Sequence, residues 1–340
     1  MNKLWQKLIF SLAAAILLNL PMLSAAAPAE KDSEETKEAY VDVSVMTVWV
    51  SPDDTRDIDE PALSNPVKPW EWTESMTVDD KLDLVGSLET QALYGMKVDV
   101  LEEEGDWVKV AVEGQPTPRH DSGYPGWVPK EQIVESRWFE HMQSKDFATI
   151  TSPTAHLYHD RALQKEHIEV SFNTRLPVIV EQSKRVLLAT PSDGYKWADK
   201  EDLDIYGSVD DIPDPSPQDL VETGEMFNDL PYLWAGVTGF GFDCSGFTHT
   251  IYKAHGITIP RDSSVQAEHG EHVERDNLEV GDLLFFAYNG GEGAVHHVGM
   301  YIGDGEMIHS PNSRSTVEMV KVDESDYADS YHSARRYLTE

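Results

Sequence analysis

The sequence holds a single cysteine, Cys244, in the run Phe242-Asp-Cys-Ser-Gly-Phe-Thr-His-Thr-Ile-Tyr-Lys-Ala-His-Gly256. From Ser245 to His255 the pattern is helical. Phe247, Ile251 and Ala254 share one stripe, and Gly256 supplies a stop. Asp243 stands at the N-cap position, so Cys244 lies at a helix N-terminus. Free N–H groups and the positive end of the helix dipole favour a thiolate there, as a nucleophile requires. The same placement also suits a buried inert thiol, and the local pattern does not choose between them.

A nucleophile needs a base. Val295-His-His-Val-Gly-Met-Tyr-Ile302 alternates like a strand, with His297, Gly299 and Tyr301 on one face and His296, Val298, Met300 and Ile302 on the other. Gly299 beside His297 leaves open space for a substrate or a thiol, and His296 belongs to the apolar, structural face. If Gly303-Asp-Gly305 is a three-residue loop, Ile302 pairs with Glu306 and His309 falls opposite Gly299. His309 is then a diagonal neighbour of His297 and can orient its imidazole. A two-residue loop would turn His309 to the other face. Cys244, His297 and His309 together suit acyl transfer: the sulfur attacks an amide carbonyl, and His297 protonates the leaving amine and then activates water. The oxyanion needs donors, here the Cys244 N–H and the hydroxyl of Tyr232 in Tyr232-Leu-Trp-Ala-Gly236. The alternative use of His296, His297, His309 and Asp304 as metal ligands lacks the usual spacing, and adjacent strand histidines point apart. No metal and no cofactor are expected, and the sequence has no glycine-rich phosphate loop.

These residues need a scaffold. The chain has 340 residues, enough for two or three domains at roughly 100–200 residues each. Residues 1–26 read as a signal peptide: a basic start, an apolar run from Leu8 to Leu23, and Ser24 and Ala26 placed for cleavage near Ala26. The protein is therefore expected to be secreted, with no stable membrane anchor and no lipid attachment. Residues 27–39 are a polar, flexible lead-in. Residues 40–140 and 145–207 are rich in short alternating strands and turns and read as two related β-barrels, the first with a helical insertion near Thr77–Leu88. Gly123-Tyr-Pro-Gly-Trp-Val and Gly194-Tyr-Lys-Trp-Ala close the two units in a similar way. Residues 208–217 form a Pro/Asp linker, and 218–340 a mixed α/β domain.

Charge restricts the partners. Lys and Arg number 27 against 61 Asp and Glu, a formal net charge of −34. Nucleic acid is excluded, and anionic membranes and wall polymers are disfavoured, because all would be repelled. A lone cysteine rules out an intramolecular disulfide.

The last domain resembles the NlpC/P60 family of papain-like cell-wall cysteine peptidases. The resemblance rests on Asp243-Cys-Ser-Gly-Phe, His297-Val-Gly-Met-Tyr, Met307-Ile-His309 and Gly281-Asp-Leu-Leu-Phe-Phe, in order and in spacing. It departs at Ala235 and Val280, where many members carry Gly and Pro; neither change removes a reacting atom. The resemblance implies an α+β fold, with a papain-like catalytic domain preceded by two small SH3-like β-barrels. It also implies that Cys244 is the nucleophile, His297 the base, His309 its orienter and Tyr232 the oxyanion partner. Trp234, Asp243, Ser245 and Ser263 would line the cleft.

The whole chain is similar to the subgroup with two N-terminal SH3-like barrels. Its members are γ-D-glutamyl-L-diamino acid endopeptidases that release L-Ala-γ-D-Glu from murein peptides with a free N-terminal L-Ala. Glu89 and Tyr124 match the positions that read that amine. Murein peptides are thus the expected partner, and a monomer the expected state. At this net charge the barrels are expected to shape the cleft and not to tether the enzyme to the wall. Two other readings remain: an amidase or endopeptidase acting on intact peptidoglycan, and a non-catalytic envelope-binding protein. The intact Cys244, His297 and His309 argue against the second.

Overall fold

The computed structural model describes residues 37–338. The signal read over residues 1–26, its cleavage site and the lead-in up to residue 36 lie outside the described residues. Among the described residues no helix is long and apolar enough to cross a membrane.

The first strand opens at Lys37, so residues 37–39 belong to a barrel and not to the lead-in. The first barrel is built from β1 (Lys37–Val41), β2 (Val45–Trp49), β3 (Leu88–Leu93), β4 (Lys97–Glu104), β5 (Trp107–Val112), β6 (Tyr124–Pro129) and β7 (Ile133–Val134). Its order is β3-β2-β6-β5-β4-β1-β7. Alternating valines fill it: Val41, Val48, Val98, Val110 and Val128 are buried in one cluster. The chain turns at residues 42–44, so Val41 and Val45 belong to different strands.

Three helices interrupt the barrel between β2 and β3: α1 (Glu60–Leu63), α2 (Pro69–Ser75) and α3 (Val78–Leu82). The expected helix is α3. Thr77 caps it, accepting from Asp80 N at 3.2 Å while the Asp80 carboxylate takes the Thr77 N–H at 2.8 Å. It ends well before Leu88, which opens β3. After β7, α4 (Arg137–Met142) leads to the second barrel.

The second barrel runs through β8 (Phe147–Ile150), β9 (Thr154–Tyr158), β10 (Glu166–Ser171), β11 (Arg175–Glu181), β12 (Arg185–Ala189), β13 (Tyr195–Asp199) and β14 (Leu203–Tyr206). Its order, β10-β9-β13-β12-β11-β8-β14, repeats the first barrel strand for strand. Tyr124-Pro-Gly-Trp127 and Tyr195-Lys-Trp197 fall on the equivalent strands β6 and β13. They do not close their units, because a short turn and a last strand follow each.

The third domain starts with α5 (Pro217–Glu225), then β15 (Val237–Thr238), β16 (Gly241–Phe242), α6 (Cys244–Ala254) and α7 (Ser263–Gln266). A sheet of β17 (Glu271–Val273), β18 (Leu283–Ala287), β19 (Val295–Gly303), β20 (Glu306–His309), β21 (Glu318–Lys321) and β22 (Tyr331–Arg336) follows, in the order β17-β22-β18-β19-β20-β21. α6 buries Phe247, Ile251 and Tyr252 against Val298 and Met300 of β19 and Ile308 of β20.

Shared cores lock the domains together. Trp49 and Leu88 of the first barrel, Trp72 and Leu84 of its insertion, and Leu233 and Ala235 of the third domain form one buried cluster. Each such large side chain contributes roughly 1.5–3 kcal/mol on burial. The insertion therefore fixes the first barrel over the loop that carries Tyr232.

Candidate active site

Cys244 is the first residue of α6 and is buried. Asp243 caps the helix, accepting from Gly246 N at 2.6 Å. Its own N–H donates to Gly236 O at 3.1 Å. Gly246 permits this closeness, since a Cβ there would sit 2.0 Å from the Gly236 carbonyl oxygen. Ala235, beside it, adopts φ +64°. A left-handed backbone costs an L-residue roughly 1–2 kcal/mol, which explains why glycine suits this position.

The helix start does not by itself make a thiolate here. Burial first, and then the Asp243 charge, push the Cys244 thiol up to about 12, while the Val298 and Ser245 N–H groups and Arg261 pull the other way. The contact with Val298 sets the cysteine against β19, one residue from His297. Burial, with His309 and His296 nearby, pushes His297 well below its usual range. Both shifts favour a neutral thiol and a neutral imidazole.

His297 Nε2 and His309 Nδ1 are 2.8 Å apart. The hairpin that brings them together differs from the expected three-residue loop. Gly303 pairs with Glu306, leaving two residues in the turn, and a bulge at Ile302 restores the pairing of Tyr301 with Met307 and of Met300 with Ile308. The bulge cancels the change of face that the short turn would impose. Gly299 does not leave open space for substrate either. A Cβ on it would meet Met307 Sδ at 2.8 Å and His309 Cβ at 3.3 Å, so its missing side chain admits the second strand.

Tyr327 lies parallel to His297, with ring centroids 4.0 Å apart and planes 15° apart. Its hydroxyl donates to Pro311 O at 3.0 Å. Burial and then the Cys244 charge push it up to about 12. Tyr232 is buried and feels Cys244 as well; burial keeps its hydroxyl protonated, well above the usual tyrosine range. His296 is turned aside onto Tyr288, with centroids 4.3 Å apart. With His297 and His309 bonded to each other, the three histidines do not form a ligand set, and no cluster of three or more metal-binding side chains occurs among the described residues.

A second constellation lies across the domain boundary. Tyr124 of β6 donates its hydroxyl toward both carboxylate oxygens of Asp262, each at 3.0 Å. Glu89 of β3 forms a two-pronged ion pair with Arg119, whose Nη2 lies 2.6 Å from Oε1. Arg119 Nη1 also lies 3.4 Å from the Tyr124 hydroxyl. Burial pushes the Asp262 carboxyl up, with Arg261 and Tyr124 offsetting part of the effect.

Arg261 joins the two groups. It is buried and grips Asp243 with two nitrogens, at 2.7 and 3.1 Å. Its Nη1 also donates to Ser245 Oγ at 2.9 Å, and its Nε to Thr90 Oγ1 at 3.0 Å. Ser245 therefore sits inside this network, with its hydroxyl engaged by Arg261. Trp234 lies against the first barrel, donating Nε1 to Leu88 O at 3.3 Å. Ser263 opens α7 beside Asp262 and is half-buried. Sequence reasoning missed Arg119, Arg261, Asp262 and Tyr327. Arg261 and Asp262 immediately precede Ser263, the residue of that run that the family resemblance picks out. Two cavities, of about 560 and 730 Å³, lie near His255 and Lys253, toward the other end of α6 from Cys244.

A capped thiol at a helix start, packed on the strand that carries an imidazole backed by a second imidazole, is the machinery of a papain-like cysteine hydrolase. Known proteins agree with that class. Residues 229–336 match the NlpC/P60 family, 150–206 the YKFC SH3b2 domain and 85–133 the bacterial dipeptidyl-peptidase Sh3 domain. A gamma-D-glutamyl-L-lysine dipeptidyl-peptidase of Bacillus cereus is 50% identical over 328 residues, covering 95% of this chain and 98% of its own. Its namesake from Bacillus subtilis is 38% identical over 299 residues, covering 87% and 98%. The crystal structure of an NlpC/P60 family protein from Bacillus cereus superposes with a TM-score of 0.86 at 50% identity, covering 89% of this chain and 100% of that one. This chain belongs to the NlpC/P60 family of cysteine peptidases and carries two SH3-like domains ahead of the catalytic one.

Proposed function

We propose that this peptidase cuts the γ-D-glutamyl–L-diamino acid bond, to lysine or diaminopimelate, of murein peptides with a free N-terminal L-Ala. It would release L-Ala-γ-D-Glu outside the cytoplasmic membrane, in cell-wall peptide turnover. The observation that carries this reading is the group of Glu89, Tyr124 and Asp262. Two carboxylates and a phenol hydroxyl from two domains converge beside the Arg261–Asp243 pair that caps the catalytic helix. Such a group suits an ammonium, and an acetylated amine, which carries no charge and a single N–H, would forgo that pairing. Arg119 orients the Glu89 carboxylate within this group.

The chemistry follows from the geometry. His297 bonds His309 through Nε2, so Nδ1 remains to take the Cys244 proton. The sulfur adds to the γ-carbonyl carbon of D-Glu. The Cys244 N–H, free in the first helical turn, and the Tyr232 hydroxyl receive the developing oxyanion. The His297 imidazolium, stacked under Tyr327, gives its proton to the leaving amine of the diamino acid. His297 then deprotonates water, which opens the thioester and frees the dipeptide.

The test is to incubate the purified protein with L-Ala-γ-D-Glu-L-Lys, free and N-acetylated, and to follow products by mass spectrometry. The free peptide is expected to yield L-Ala-γ-D-Glu, and the acetylated one to react at least about 10²-fold more slowly. Equal turnover of both removes the amine-reading role. Clearing of intact sacculi without cleavage of either peptide points instead to a wall endopeptidase. Export is checked separately, by N-terminal sequencing of secreted protein, which is expected to begin at Ala27.

A further inference from the structure

His309 offers one ring nitrogen to His297, and its other nitrogen has no hydrogen-bond partner. Nε2 of His309 is buried and unpaired, and the residue is 1% exposed. The nearest acid is Glu318, whose Oε1 lies 3.7 Å from that nitrogen. The two residues are direct cross-strand partners, His309 on β20 and Glu318 on β21, so both side chains leave the same face of the sheet. Glu318 makes no other ion pair among the described residues.

The tautomers then decide what this contact does. His309 is held neutral, pushed down to about 4 by burial, so it carries one ring proton. If that proton sits on Nδ1, it points at His297 Nε2, and His297 must carry its own proton on Nδ1, the atom needed to receive the cysteine proton. If it sits on Nε2, the Nδ1 lone pair accepts His297 Nε2–H, and His297 Nδ1 is free to act as base. Only the second arrangement works, and it needs an acceptor for His309 Nε2–H. A buried N–H without one costs roughly 1–3 kcal/mol.

We propose that Glu318 is a positioning residue that accepts His309 Nε2–H and so fixes the tautomer through which His297 acts as base. The inference rests on the catalytic roles of Cys244 and His297 proposed above. No proton passes to Glu318. The Cys244 proton moves to His297 Nδ1, the His297 Nε2–H stays shared with His309 Nδ1, and the His309 Nε2–H stays directed at the carboxylate. A contact of 3.7 Å is long for a hydrogen bond, and such bonds commonly tighten when substrate closes a site. The charge of Glu318 also steadies the imidazolium that forms on His297 two bonds away. The other titratable groups facing this pair are Cys244 on α6, His296 on β19, and Tyr327 with its neighbour Asp326 ahead of β22. The competing explanation for Glu318 is a charge placed on an edge strand to block sheet-to-sheet pairing.

The experiment uses the full chain and the pH profile of kcat/KM on L-Ala-γ-D-Glu-L-Lys. In Glu318→Ala, kcat is expected to fall about 10-fold with KM within twofold, and the acid limb to move about half to one unit lower as His297 becomes a weaker base. Glu318→Gln keeps a carbonyl acceptor for Nε2–H and is expected to recover kcat to within about threefold of the parent. Melting temperatures of both variants should match the parent within a few degrees, as for other surface substitutions. A Glu318→Ala profile that superimposes on the parent overturns the proposal. So does a loss of activity that tracks a lower melting temperature with no movement of the acid limb. Cys244→Ala separates the two levels: retained hydrolysis sinks the cysteine mechanism and Glu318 with it. An inactive Cys244→Ala beside unaffected Glu318 variants sinks only the role of Glu318.

Discussion

Arg261 Nε donates to Thr90 Oγ1 at 3.0 Å, linking the residue after Glu89 in the first barrel to the guanidinium that holds the cap of the catalytic helix. The strand that carries Glu89 and the helix that opens at Cys244 are therefore joined through buried hydrogen bonds. Thr90 Oγ1 passes the chain on to Gln115 Oε1 at 2.7 Å, and the Arg261 N–H donates to Pro116 O at 3.1 Å. These bonds hold the first barrel against the loop that carries Arg261.

Removing one partner of a buried pair leaves the other charge uncompensated, at a cost of about 3–5 kcal/mol. Arg261→Met is accordingly expected to lower the thermal midpoint by roughly 10 °C, and Arg261→Lys by less, since it keeps the charge but loses the fork. Differential scanning calorimetry decides. A midpoint unchanged in Arg261→Met would show that the Asp243 cap stands without it.

Tyr232→Phe removes a donor and little volume. It is expected to reduce kcat about 10²-fold with KM nearly unchanged, the pattern of an interaction made only in the transition state. A KM effect with intact kcat would move Tyr232 from the oxyanion to ground-state binding.

The proposed amine-reading role has its own signature. Glu89→Gln and Tyr124→Phe are expected to raise KM for the free-amine peptide by about 10- to 10²-fold and to leave the slow turnover of the N-acetylated peptide as it was. Steady-state kinetics on both peptides is the measurement. A parallel loss on both would mean that these residues only support the fold.

The resting thiol makes a prediction about reactivity. With Cys244 pushed up to about 12, its alkylation by iodoacetamide in the free enzyme is expected to rise with pH through the neutral range. A plateau of fast alkylation at mildly acid pH would instead reveal a preformed thiolate–imidazolium pair.

Stability should report the buried imidazoles. His309 is pushed from its ordinary 6.5 down to about 4, so the unfolded chain takes up this proton first as pH falls. Its contribution is intact above pH 6.5 and is lost between 6.5 and 4, to a limit of about 3 kcal/mol. Urea unfolding at pH 7, 5.5 and 4 is expected to show this decline, and a shallower one in His309→Asn. Equal slopes in parent and variant would place the acid sensitivity elsewhere.

Local pattern made some of this site legible. The apolar stripe of α6, with Asp243 before it and Gly256 after it, is a helix by elementary rules, and it sets Cys244 at its start. Alternation along residues 295–302 likewise gives a strand carrying His297. The insertion was harder to read: α1 and α2 are single turns or little more, too short for a helical period, and they hold their shape by packing Trp72 against Trp49, 6.4 Å between rings.

The sequence by itself determined the chemistry on offer: one thiol, two histidines within a hairpin's reach, a tyrosine upstream, and an acid surplus that turns away polyanions. These follow from residue type and short-range spacing. The tertiary structure alone decided how they combine. The bulge at Ile302 returned His309 to the face of His297, burial overrode the helix start and kept the Cys244 thiol protonated, and Arg261 and Asp262 were brought to residues of another domain. Each of those outcomes depends on desolvation or on contacts between residues far apart in the chain, and periodicity carries no record of either.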